Sequence, residues 1–256
     1  MMRAFLLVAV AIVHLTFARL GSFYRYEAYL IALDLYALGC VVGEFGYPTV
    51  KLRLVALIPS ARSSFVGAAI SWILAALFFL TLRSGLSLRE IPLGAADIYD
   101  QQVQTASFIH QLSPKDGIAL NDIGVVCFEN EIHLVDLAGI DNAAIARAVM
   151  QGRLSTDAIA ELTHKSDLGV AFLYSSWFDP KPYPHLQGID YIGGPLPSNW
   201  IELGKWVLLR KPVSVSRDAV AIYAVRPEDA PKLRAALDTF ASQLPPDVRY
   251  VRSRAN

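Results

Sequence analysis

An excess of charge of either sign, paired cysteines and the short signatures of the common enzyme classes are what this sequence lacks. Its 23 Lys and Arg balance 23 Asp and Glu, and charged residues are only 18% of the chain. That balance excludes the basic footprint of a nucleic-acid binder and an acidic tail. Of the two cysteines, Cys40 lies in an apolar stretch and Cys127 in a more polar region. A disulfide between them is not expected, and no zinc-ligand spacing exists. There is no G-x-S-x-G elbow, P-loop, G-x-G-x-x-G or H-E-x-x-H, and the later part of the chain has no Asp-x-Asp pair. These absences exclude the hydrolases, nucleotide binders and zinc proteases that such motifs mark. His14, His110, His133, His164 and His185 are scattered without ligand spacing. No metal or cofactor is called for.

What is present is apolar sequence. Hydrophobic residues make up 54% of the chain, concentrated early in Ala4–Ala18, Ala28–Phe45 and Phe65–Leu82. A helix rises ~1.5 Å per residue and must cross roughly 30 Å of hydrocarbon. The stretches therefore predict transmembrane helices at about 4–20, 28–45 and 65–82, with Arg83 reaching back to the headgroups. Arg3 followed by an apolar run imitates a signal peptide, but LTFARLGSFYRYE after it offers no small-x-small cleavage site. Flanking Lys and Arg tie between the two sides. The loop Glu44–Ser64, with Lys51, Arg53 and Arg62, weakly favours the cytoplasm and places the rest of the chain outside. The expected class is α/β: about three N-terminal transmembrane helices within 1–83, then an extracytoplasmic α/β domain over 84–256 with a mainly parallel or mixed sheet. The expected localisation is the plasma membrane, multi-pass.

After Ser84, short apolar runs alternate with turn residues. Ala95–Leu112 has near-helical spacing and stops at Ser113-Pro114-Lys115-Asp116-Gly117. Strands are expected at Ile118–Leu120 and Ile132–Val135, separated by a helical turn through Val125–Phe128. Asp141 or Asn142 can cap a helix through Ala143–Met150, and Ser155 with Thr156 can start the next. Leu168–Tyr174 suits a buried strand. Ser175–Asn199 is an aperiodic connection rich in Pro, Gly and aromatics. Trp200–Arg210 and Ala219–Val225 are expected as neighbouring strands, Pro227–Leu244 as a closing helix and Pro245–Asn256 as an exposed basic tail.

Two groups of residues are candidates for binding. Arg25, Tyr26 and Glu27 stand at the mouth of the second apolar stretch, where a guanidinium can fork onto a phosphate; Tyr and Arg are also ordinary interfacial anchors there. Asn121, Asp122 and Asp136 stand at the carboxyl ends of two expected strands, the edge where open α/β sheets bind ligands. The same residue types also cap helices and shape turns. Asp34, inside an apolar stretch, is a third feature.

The run His14–Arg19 through Phe23–Leu30, with Asn121-Asp122-Ile123-Gly124 and Val135-Asp136-Leu137-Ala138-Gly139, resembles the carboxyl-terminal portion of bacterial C-type-superfamily membrane glycosyltransferases, which use polyprenyl-phosphate sugars. The resemblance implies a membrane bundle followed by an external α/β domain. The family's catalytic aspartate lies in its first external loop, whereas here the corresponding Arg19–Glu27 holds Glu27 and no aspartate. The expected function is thus that of a glycosyltransferase-related chain binding acceptor or lipid carrier, its base supplied by a separate N-terminal transmembrane half. Expected partners are the lipid bilayer and a polyprenyl-phosphate sugar; the alternative is a membrane-anchored binding or assembly module without catalysis.

Overall fold

The computed structural model describes residues 9–10, 12–13, 32–33, 36, 63–113, 115–178 and 192–254. The chain divides into two compact units, Met1–Ile91 and Pro92–Asn256. Among the described residues no helix is long and apolar enough to cross a membrane. This corrects the expectation of three transmembrane helices ahead of the α/β domain, and with it the expected multi-pass plasma-membrane localisation. The segments 4–20 and 28–45 fall almost wholly outside the described residues. At the third segment, an apolar run does not delimit the element: helix α1 spans Ser63–Asp97 and continues through Arg83, Arg89, Glu90 and Pro92. The change of composition at Arg83 is no element boundary.

The second unit is a mixed six-stranded sheet covered on both faces. A π-helical turn, Ile98–Val103, leads into α2, Gln104–Leu112. Then come β1 (Gly117–Leu120), α3 (Gly124–Glu129) and β2 (Leu134–Asp136). Helices α4 (Ala143–Met150) and α5 (Thr156–Lys165) precede β3, Leu168–Leu173. Strands β4 (Ile201–Leu208) and β5 (Ala219–Ala224), helix α6 (Ala230–Phe240) and β6 (Val248–Arg252) complete it. The strand order is β2-β1-β3-β5-β4-β6. β1 is parallel to β2 and β3, whereas the β3–β5, β5–β4 and β4–β6 pairs are antiparallel. The parallel half is the part in which helices separate the strands, as a crossover requires. The segment expected as an exposed basic tail instead supplies β6, with Tyr250 opposite Trp206. Its alternation is masked by arginines, which a sheet edge tolerates.

Local chemistry accounts for the parallel half. The Asn142 side chain accepts from Ala144 N at 3.0 Å and Ile145 N at 3.2 Å, and Ser155 Oγ accepts from Ala158 N at 3.2 Å. Each satisfies donors that a helix start leaves open, worth about 1 kcal/mol. In β5, Val220, Ile222 and Ala224 enter one apolar cluster while Ala221 and Tyr223 enter the other. This period of two is what a sheet buried on both faces needs. The first cluster centres on Phe108, whose ring lies 5.9 Å from Phe172, 5.6 Å from Trp206 and 5.3 Å from Phe240, all edge-on. The second joins Ile145 and Ile159 from α4 and α5 to Ala171 and Leu173 of β3.

From β1 the chain turns to β2 on one side, and from β2 it crosses over to β3 on the other. The carboxyl ends of β1 and β3 therefore flank a reversal of strand order, the point where open α/β sheets leave a crevice for ligands.

Candidate functional site

Asn121 and Asp122 follow β1 directly, and Tyr174 follows β3. Asn121 Oδ1 accepts the Tyr174 backbone N–H at 3.1 Å, bridging the two strand ends. That N–H needs an acceptor, which fixes which end of the Asn121 amide faces it. Asn121 Nδ2 is consequently a true donor, and it is buried without a hydrogen-bond partner among the described residues. Asn121 itself is only 2% exposed.

The Tyr174 hydroxyl lies 2.6 Å from Gln101 Oε1 and 3.2 Å from Asp122 Oδ2, and it accepts from Gln102 Nε2 at 3.2 Å. Its single proton goes to the nearer oxygen, that of Gln101. Gln102 Nε2 also donates to Asp122 Oδ2 at 2.6 Å, as a charge-assisted bond does. Burial first, then the Asp122 carboxylate beside it, pushes the Tyr174 hydroxyl well above the ordinary tyrosine range. It stays a protonated donor at any physiological pH. Trp177 packs on Tyr174, with ring centroids 5.3 Å apart.

Gln101 and Gln102 both reach this network because they sit in the π-turn, and a wider helical turn is a frequent companion of functional sites. The turn is held from its far side. Asp97, 1% exposed, accepts from Val213 N at 2.6 Å and Ser214 N at 2.9 Å and binds Arg210 Nη1. Arg210 Nη2 donates to Asp100 Oδ2 at 2.6 Å, and Gln101 Nε2 donates to Arg217 O at 3.0 Å. The loop between β4 and β5 thus clamps the turn that feeds the strand-end network. Arg217 Nε in turn donates to Ser176 Oγ at 3.0 Å.

Of the residues expected from sequence, Asn121 and Asp122 fall in this network. Asp136 does something different at the end of β2: its oxygens accept Ala138 N and Asp141 N, both at 2.8 Å, folding the turn into α4. Arg25, Tyr26 and Glu27 lie outside the described residues, as does Asp34. Sequence reasoning missed Gln101, Gln102 and Tyr174. The available signal was the run Asp100-Gln101-Gln102, polar residues on an otherwise amphipathic helix, all of them buried.

Among the described residues, no three His, Cys, Asp or Glu side chains converge on a metal-sized site. A cavity of about 150 Å³ opens at the opposite edge of the sheet, by Thr163, His164, Asp167, Trp200 and Arg226. Its cation is already engaged, since Arg226 binds Asp116, Asp167 and Asp229.

No curated protein and no solved structure matches the chain. Residues 96–223, half of its length, match a family described as Domain of unknown function (DUF8728). The matched segment begins beside Asp97 and ends within β5, so it contains the π-turn, both strand ends and the clamping loop. On that match, the chain belongs to the DUF8728 family.

Proposed function

We propose that the unit Pro92–Asn256 is a ligand-binding module that serves sugar transfer without making or breaking the glycosidic bond itself. The observation that carries this reading is the buried network of Gln101, Gln102, Asp122 and Tyr174 at the carboxyl ends of β1 and β3. Buried side-chain networks are costly unless they specify something. This one stands where the topology leaves a ligand crevice.

The state of the acids favours binding over catalysis. A general base must present a lone pair to the proton it removes. Both oxygens of Asp136 are engaged by backbone N–H groups, and Asp122 accepts a charge-assisted bond from Gln102. Tyr174 keeps its proton. The resemblance of the stretches Asn121–Gly124 and Val135–Gly139 to the carboxyl-terminal part of C-type glycosyltransferases supplies the setting of sugar transfer. The catalytic base would then come from another chain.

The test uses the purified full chain. It is expected to bind neutral glycosides in saturation-transfer NMR, to lose at least tenfold in affinity on Gln102→Ala, and to release no sugar from activated glycosyl donors. Sugar release abolished by Asp122→Asn would make the chain a catalyst and overturn the proposal.

A further inference from the structure

We infer that the free edge of the sheet at β6 is a docking strand for an acidic segment of another protein, which adds to it as one more strand. The register fixes which backbone groups are on offer. Leu209 N donates to Asp247 O at 2.8 Å and Ser253 N to Leu203 O at 3.1 Å, and between them Val207 stands opposite Arg249 and Lys205 opposite Val251. In an antiparallel pair, residues that exchange bonds alternate with residues that turn theirs away. Asp247, Arg249, Val251 and Ser253 therefore bond β4, and the N–H and C=O of Tyr250 and Arg252 point outward. Among the described residues no strand lies beyond β6, and no turn or loop bond closes those groups. Such a row is a template for a further strand. The other edge is poorer, since β2 has three residues and its Asp136 is folded into the following turn.

Charge selects the occupant. Arg249 and Arg252 are exposed on opposite faces of the edge strand, and exposed Arg254 stands just beyond it. Arg249 and Arg254 have no ion pair among the described residues. Arg252 meets Asp238 of α6 at 3.4 Å, with both side chains in water, where such a pair holds its partners weakly. Of the other acids nearby, Glu202 accepts from Ser253 Oγ at 2.6 Å and Asp247 precedes the strand, while Arg234 donates to Ser253 O at 3.1 Å and adds positive charge. A second copy paired through β6 would gather the arginines of both chains along one seam, and like charges across paired strands are destabilising. A strand carrying Asp or Glu instead brings carboxylates to guanidinium forks while its backbone bonds Tyr250 and Arg252. Exposed Val251 leaves room for an apolar side chain between those acids.

The full chain, isotopically labelled, is titrated with an extended peptide of Glu, Val and Thr, with the same peptide carrying Lys for Glu, and with the acidic peptide N-methylated at every bond, which keeps its charge and loses its donors. The readouts are affinity and the hydrogen exchange of the Tyr250 and Arg252 backbone N–H groups. The inference expects only the unmethylated acidic peptide to bind, slowing those two amides at least tenfold. It expects the double variant Arg249→Glu/Arg254→Glu to bind that peptide at least tenfold more weakly and to accept the Lys peptide instead. The comparison of the three peptides on the native chain stands whether or not the variant folds. Equal binding of the N-methylated peptide would mean attraction of charge without strand addition, and equal binding of the Lys peptide would remove the selectivity for acids; either overturns the inference. So does failure of every peptide to protect Tyr250 and Arg252. Self-association that slows the same amides with no peptide present would assign the edge to a second copy and overturn it as well.

Discussion

Asp100 and Asp136 are both buried carboxylates, held by different partners. Asp136 sits in a turn whose backbone N–H groups bond both its oxygens, so Asp136→Ala leaves two donors without their acceptor. The expected loss is about 1–3 kcal/mol, read from the urea midpoint. Asp100 meets Arg210, but burial outweighs that cation, and Asp247 and Asp97 add repulsion; its pKa is raised. A carboxyl raised on folding favours the folded state when protonated. That benefit is complete below the ordinary aspartate range near ~3.9 and is lost as pH rises through the folded value. The urea midpoint of the native chain, relative to Asp100→Asn, is therefore expected to fall as pH rises above the ordinary aspartate range. A difference independent of pH would contradict the assignment.

At the scale of elements, the π-turn Ile98–Val103 joins two structures that the sequence does not visibly connect. Its Asp97 side fastens the β4–β5 loop, and its Gln101 and Gln102 side reaches the strand ends. Asp97→Ala removes a carboxylate that accepts two backbone N–H groups, so amide exchange at Val213 and Ser214 is expected to accelerate by about tenfold or more. Unchanged exchange would show that the loop holds itself. Gly139 is the tight point of the turn after β2, with φ +79° and a hypothetical Cβ only 2.5 Å from Ala146 N. Gly139→Ala is expected to destabilise by more than ~1 kcal/mol, measured by thermal unfolding. Capping residues were legible in the sequence because their chemistry is local, as Asn142 and Ser155 show. The π-turn was not, because its stabilising partners Arg210, Val213 and Tyr174 are distant in the chain.

For the whole molecule, sequence reading was strongest where one period rules and weakest where context does. The helices and strands from Gly117 to Leu173 followed from patterning, and with them the position of Asn121 and Asp122 just after a strand. Strand β6 was hidden by arginines, whereas β4 and β5 were expected as neighbours and do pair. Apolar composition misled most. It proposed membrane spans, whereas no described helix is long and apolar enough to cross a membrane. The central claim is that a ligand is held where β1 and β3 end. Amide hydrogen exchange of the full chain, with and without a saturating neutral methyl glycoside, tests it most directly. The account predicts new protection confined to Gln101–Gln102, Asn121–Asp122 and Tyr174–Trp177. Protection instead around Thr163–Asp167 and Arg226, at the cavity on the opposite edge, or none anywhere, would contradict it.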